Sequence, residues 1–156
     1  MAMKRLLALS VLMFASLGAC FANDLAAWKE KSLSSWVGKY PTTTVNKKNV
    51  SILAAAPIKE ILNSVVPANE RRLLDSFHVE TPVTQMGNFI VINRCKPHNC
   101  PWDHAMVVVD LEKQRLWAGF FTRADNRTAL RWYGNGDDYS VLPSEIQQEF
   151  RSRHGE

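Results

Sequence analysis

The sequence predicts a single α+β domain in which an antiparallel β-sheet, a meander, is flanked by helices. Three observations support this prediction. From Gly87 onward, short apolar runs alternate with short polar connections, as in consecutive hairpins. Before Gly87, apolar residues recur at helical intervals. After the last strand-like run, Pro143 and Ser144 open another helical stretch.

The first 22 residues have the features of a secretory signal peptide. Lys4 and Arg5 precede an uncharged apolar run over residues 6–17, which is too short to cross a bilayer. Cleavage after Ala22 is the favoured site and leaves residues 23–156 as the folded domain. Alternatively, the stretch that ends at Cys20 resembles a bacterial lipobox, and Cys20 would then anchor an outer-membrane lipoprotein. Both interpretations of the leader predict a protein exported from the cytoplasm.

Length and charge narrow the functional class. Removing 22 residues from 156 leaves 134, enough for one domain with a substantial core. The leader carries two of the basic residues and no acidic one, so the formal net charge of +4 falls to about +2. The remaining basic residues are scattered and form no stripe interleaved with aromatic residues. This distribution argues against a nucleic-acid-binding protein.

Helices are expected in the first half of the mature chain. Loose helical spacing of apolar residues predicts a short helix that ends at Val37-Gly38, followed by an extended or turn segment from Pro41. Pro57 is well suited to a first helical turn and predicts a second helix. A third is predicted over residues 68–77. The apolar residues that suggest the first two helices are Leu25, Trp28, Leu33 and Trp36, then Ile58, Ile61, Leu62 and Val65.

The second half of the chain predicts four strands, at residues 89–93, 105–111, 115–121 and 129–133. Asp110 and Glu112 flank the turn between the second and third of these strands and are expected to be solvated. Three tryptophans are expected in the core or on a sheet face, namely Trp102, Trp117 and Trp132.

The six residues Cys95-Lys96-Pro97-His98-Asn99-Cys100 lie between the first two predicted strands. Once Cys20 is cleaved or lipidated, Cys95 and Cys100 remain as an even pair in an oxidising compartment, which predicts a disulfide. Closing so short a loop stabilises the fold by only about 2 kcal/mol. The bridge is therefore expected to fix the shape of the loop, which lowers the ordering cost of binding.

The loop suggests two alternative kinds of site. His98 is predicted to be a contact residue whose imidazole enters a partner's cleft, because it lies in a Pro97-stiffened, cysteine-closed loop. The alternative is a metal site that combines His98 and His104 with the two thiols, but oxidised cysteines are lost as ligands. The sequence shows no Ser-His-Asp context, Gly-rich phosphate loop or HExxH motif, so we predict neither an enzyme nor a cofactor.

The loop also carries a family resemblance. Its sequence, CKPHNC, closely resembles the CKPHDC loop of the Ivy family, inhibitors of vertebrate (C-type) lysozyme from Gram-negative bacteria. The next strand, the Glu112-Lys113 turn and the Gly119-Phe120-Phe121 segment are similar to the family's following hairpin. The resemblance extends from about residue 87 to residue 133.

The resemblance implies a periplasmic lysozyme inhibitor that forms a homodimer. In this family the loop inserts into the lysozyme active-site cleft, so His98 would engage the catalytic carboxylates. Cys95 and Cys100 would fix the loop, while Lys96, Pro97 and Asn99 would shape it and add contacts. The family motif usually has Asp at the position of Asn99. The lost charge leaves open another target, such as an endogenous lytic transglycosylase.

Overall fold

A computed structural model describes residues 33–125, 127–136 and 138–153. The predicted signal peptide, the possible lipobox and most of the predicted N-terminal helix lie outside the described residues. The described strands are β1 (Thr42–Val45), β2 (Lys48–Ser51), β3 (Val79–Glu80), β4 (Thr84–Met86), β5 (Phe89–Cys95), β6 (Asp103–Asp110), β7 (Arg115–Ala124) and β8 (Arg127–Gly134). The described helices are α1 (Ala56–Val65), α2 (Ala68–Ser76) and α3 (Ser144–Ser152), with 3-10 turns at Ser34–Trp36, Ile52–Ala54 and Tyr139–Val141.

The predicted antiparallel meander is confirmed. Strands β5, β6, β7 and β8 follow one another in the sheet, each antiparallel to the last, and β3 and β4 both pair with the outer side of β5. The strands are longer than predicted, since β5 reaches Cys95 and β6 begins at Asp103. The backbone ladder continues through polar residues that the apolar pattern does not include, so Cys95 pairs with His104.

Helices cover both faces of the sheet. On one face, α1 and α2 pack against alternate residues of the strands, such as Ile92 and Val107. On the other face, α3 packs through Ile146 and Phe150 against Met106 and its neighbours. Every residue of β6 is buried as a result. This explains why its sequence is a nearly continuous apolar run rather than an alternating one.

The structure contains a hairpin that the sequence pattern did not identify. Strands β1 and β2 form a separate two-stranded sheet, joined by Asn46 and Lys47. Both connecting residues have positive φ, 50° and 62°, as a two-residue type I′ turn requires. The strands are polar and largely exposed, so they lack the apolar alternation on which strand prediction depends.

The expectation that Asp110 is solvated was wrong. Asp110 is buried, and its Oδ1 accepts hydrogen bonds from the backbone N–H groups of Glu112 (3.0 Å) and Lys113 (2.9 Å). The carboxylate thus provides the acceptor for two backbone N–H groups in the turn between β6 and β7. Glu112 is exposed as expected.

Of the three tryptophans, Trp117 lies in the core, whereas Trp102 is 40% exposed.

A partly buried ion pair links α2 to the sheet. Arg131 on β8 donates to both carboxylate oxygens of Glu70, at 2.7 and 3.2 Å. No helix among the described residues is both long and apolar enough to cross a membrane.

Gly119 provides a test of packing on the α3 face. A Cβ at this position would lie 2.6 Å from the Trp132 ring. That ring cannot move freely, because it lies 5.1 Å from Tyr139 and 4.8 Å from Phe150 between ring centroids. We expect Gly119→Ala to lower the free energy of unfolding by about 1–3 kcal/mol, measured by urea denaturation.

The control for this prediction removes the ring. In a Trp132→Leu background, Gly119→Ala should cost clearly less, because the added methyl group no longer meets the indole. An equal cost in both backgrounds would show that the close approach to Trp132 does not determine the effect.

Candidate functional site

The candidate site is the loop between β5 and β6, at one end of the sheet. Cys95 is the last residue of β5, and a disulfide joins it to Cys100 with an S–S distance of 2.11 Å and a Cα–Cα distance of 4.9 Å. The predicted pairing of the two cysteines is therefore present. Because β5 and β6 are the central paired strands, they hold both ends of the loop.

A tight turn places His98 at the tip. The N–H of Asn99 donates to the carbonyl of Lys96 at 3.0 Å, which closes a four-residue turn with Pro97 in its second position. His98 occupies the third position with φ of 62°, the arrangement of a type II turn. Glycine is preferred there, and a non-glycine residue in this region costs roughly 1 kcal/mol or more. Residues in such conformations are concentrated at functional sites.

Asp103, the first residue of β6, restrains the loop through hydrogen bonds and an ion pair. Its Oδ2 accepts a hydrogen bond from the Asn99 side-chain amide at 2.7 Å and lies 3.4 Å from the Lys96 ammonium. The backbone adds three bonds: Lys96 N–H to the Asp103 carbonyl, and the N–H groups of Trp102 and Asp103 to the Asn99 carbonyl, all at 2.9 Å. Asp103 is only 9% exposed, so the Asn99 amide and the Lys96 ammonium compensate a carboxylate that has lost most of its water.

The predicted site residues therefore divide into two groups. Lys96 and His98 are exposed, and their side chains are available to a partner. Pro97 and Asn99 are half-buried, and Asn99 uses its amide on Asp103 inside the loop. The structure thus gives Asn99 an internal role that the sequence did not indicate, since neither the spacing nor the residue type identifies Asp103 as its partner.

The residues of the alternative metal site do not come together. The two thiols are joined as a disulfide, and His104 is buried on β6, with its ring 5.4 Å from Phe121 and 4.9 Å from Phe150. His98 is exposed at the tip of the loop. The described part of the chain contains no cluster of three or more His, Cys, Asp or Glu residues that could hold a metal ion.

Sequence reasoning missed a feature beside the loop. Trp102, two residues after Cys100, is exposed, and the Arg123 guanidinium carbon lies 4.2 Å from the centroid of its ring. No local pattern could have indicated this contact, because it joins the start of β6 to the end of β7. We call this pair the Trp102–Arg123 stack.

An open cavity of about 250 Å³ borders the base of the loop. Cys95, Cys100 and Pro101 form one side, and its other lining residues include His104 and Arg153. Both residues of the disulfide therefore line this cavity. A second cavity of about 330 Å³ is lined mainly by residues of α1 and α2, with Thr42 and Ser51 from the β1–β2 hairpin and Arg94 from β5.

Comparison with known proteins places the chain in a family. The family model described as inhibitor of vertebrate lysozyme (Ivy) matches residues 57–155, which include the loop and strands β3 to β8. A search of curated proteins and a search of solved structures gave no significant match. The matched segment spans well over half of the 156 residues. The chain therefore belongs to the Ivy family of inhibitors of vertebrate lysozyme.

Proposed function

We propose that this protein inhibits C-type lysozyme by inserting the loop between Cys95 and Cys100 into the enzyme's active-site cleft, with His98 as the leading contact. Family membership supports lysozyme as the partner and an inhibitor rather than an enzyme. The observation that carries the loop assignment is the position of His98. It is exposed at the tip of a disulfide-closed turn, in a backbone conformation that favours glycine.

The chemistry of the cleft suits an imidazole. Lysozyme works with two carboxyl groups, one kept protonated in an apolar pocket and one ionised. A protonated imidazole donates from both ring nitrogens, and a neutral one donates from one and accepts at the other. His98 can therefore bond to one or both carboxyl groups and exclude the substrate from the place where catalysis occurs.

The loop is ordered before it binds. The disulfide, the Asn99 turn and the bonds to Asp103 already restrict its conformation. Binding then requires little further loss of chain entropy, and more of the contact energy appears as affinity.

The same proposal covers location. A leader at residues 1–22 would deliver the inhibitor to the periplasm, free after cleavage at Ala22 or anchored through Cys20. There it would meet lysozyme that crosses the outer membrane. An endogenous lytic transglycosylase remains the second target class, since such enzymes bind the same glycan. The homodimer implied by the family belongs to this proposal as well.

The first test removes the leading contact. We expect His98→Ala to weaken inhibition of a C-type lysozyme by at least about 30-fold, a loss of about 2 kcal/mol that is typical of an interface hot spot. The inhibition constant is measured in a cell-wall lysis assay. Lys113→Ala is the control, because Lys113 is exposed but lies in the turn between β6 and β7, at the opposite end of β6 from the loop. Equal inhibition by wild type and His98→Ala would contradict the proposal.

The second test concerns Asn99. Asn99→Asp would bring a second carboxylate to Asp103, where the amide nitrogen now lies 2.7 Å from the Asp103 oxygen. We expect the loop to lose a charge-assisted bond of about 1.5–3 kcal/mol and inhibition at neutral pH to fall about ten-fold or more.

Asn88→Asp is the control for this change. The Asn88 amide donates to Glu112 at 2.7 Å at the opposite end of the same strand pair, so the substitution repeats the chemistry away from the loop. It should leave inhibition unchanged. Unchanged inhibition by Asn99→Asp would show that the bond to Asp103 is not needed for binding, and tighter inhibition would show that a negative charge at position 99 contacts the partner.

The third test opens the disulfide. Replacing both Cys95 and Cys100 by Ser should leave the sheet folded, because β5 and β6 remain paired along their full length. We expect inhibition to weaken about ten-fold as the loop gains freedom, with a stability loss of about 2 kcal/mol. Circular dichroism reports the fold and the lysis assay reports inhibition. A folded double variant that inhibits as well as wild type would refute the preorganisation argument.

A further inference from the structure

The Trp102–Arg123 stack lies at the same end of the sheet as the loop. Trp102 immediately precedes β6, and Arg123 is the second-last residue of β7. The register pairs Asp103 with Thr122, so the residue next to each partner in the stack is tied across the two strands. The stack therefore stands beside the loop, on neighbouring strands of one rigid sheet.

Arg123 differs from the arginines that form ion pairs, because its guanidinium lies over an aromatic ring. Arg94, Arg131 and Arg153 each form an ion pair with a glutamate, at 2.8, 2.7 and 2.6 Å. Arg123 is exposed and, within the part of the chain that the structure describes, its guanidinium makes no hydrogen bond or ion pair. Its position is instead fixed by the indole face of Trp102, at 4.2 Å.

This geometry leaves the guanidinium ready for an anion. The indole face offers no oxygen acceptor, so contact with it leaves the five N–H donors of the guanidinium available. Those donors match the two oxygens of a carboxylate. The stack also limits the rotamer freedom of Arg123 in advance, which lowers the entropy cost of forming such a pair.

The charge of this end of the molecule points to the same kind of partner. Lys96, His98, Arg123 and Arg127 are all exposed there, and Asp125 is the exposed carboxylate described among them. The Asp103 carboxylate is buried and already paired with Lys96 and Asn99. An enzyme cleft that works with carboxylates presents the complementary sign. Exposed Trp and Arg side chains are also the types most enriched at binding hot spots.

We propose that the Trp102–Arg123 stack is a second contact element, which packs against the rim of the lysozyme cleft beside the inserted loop. Arg123 pairs with a carboxylate on that rim, and the indole covers the adjoining apolar or sugar-binding surface. This inference rests on the proposed function and extends it to selectivity. The inhibitor should prefer muramidases whose cleft rim carries an exposed carboxylate over those with a uniformly basic rim.

The test measures the dissociation constant of the full mature chain for a vertebrate C-type lysozyme. Trp102→Ala and Arg123→Gln should each weaken binding about ten-fold. The double variant should be little weaker than either single variant, since the two side chains act as one unit. Arg123→Lys keeps the charge but loses the planar fork, so binding should weaken several-fold. The salt dependence of binding should be shallower for Arg123→Gln than for wild type.

Lys113→Gln is the control for loss of one positive charge, because Lys113 is exposed in the turn between β6 and β7, at the opposite end of these strands from the loop, and binding should be unchanged. If Trp102→Ala and Arg123→Gln bind like wild type while His98→Ala does not, the stack is a bystander and the proposed function stands. If the control and Arg123→Gln weaken binding equally, general charge accounts for the effect and the inference fails. If wild type does not bind the lysozyme, both proposals fail together.

Discussion

The pairing of β5 with β6 is the constraint on which the rest of the structure depends. Seven register pairs run from Phe89 opposite Asp110 to Cys95 opposite His104. A shift by one residue would exchange the β6 side chains that face α1 and α2 with those that face α3, and each set packs against its own helices. A slip would therefore disrupt the packing of both cores. Because the loop begins where the β5–β6 ladder ends, these paired strands hold the loop in a defined position.

The loop combines a covalent and a polar restraint. The disulfide closes its two ends, and Asp103 binds the Asn99 amide and the Lys96 ammonium from inside. A carboxylate this deeply buried must be compensated, so the cost of leaving it unpaired helps to hold the turn. This arrangement also gives a physical reason for Asn at position 99, since an aspartate could not donate to Asp103 and would repel it.

The backbone conformation of His98 lowers stability, whereas its side chain is the one proposed to contact lysozyme. Glycine or asparagine would relieve the positive φ, yet neither offers an imidazole to carboxylates. The surrounding restraints compensate the strain. The Trp102–Arg123 stack is a similar case, in which groups suited to contact a partner are left exposed. The indole is exposed, and the guanidinium has no carboxylate partner among the described residues.

The sequence by itself determined the class of the fold, the central meander, α1 to α3 and the cysteine-closed loop with His98. These follow from local signals, namely apolar periodicity, proline at helix starts and cysteine spacing. Only the tertiary structure decided that Asp110 is buried, that Asn99 bonds to Asp103 and that Arg123 lies on Trp102. Those contacts depend on strand register and on hydrogen-bond geometry across elements, which residue types and spacing do not encode locally.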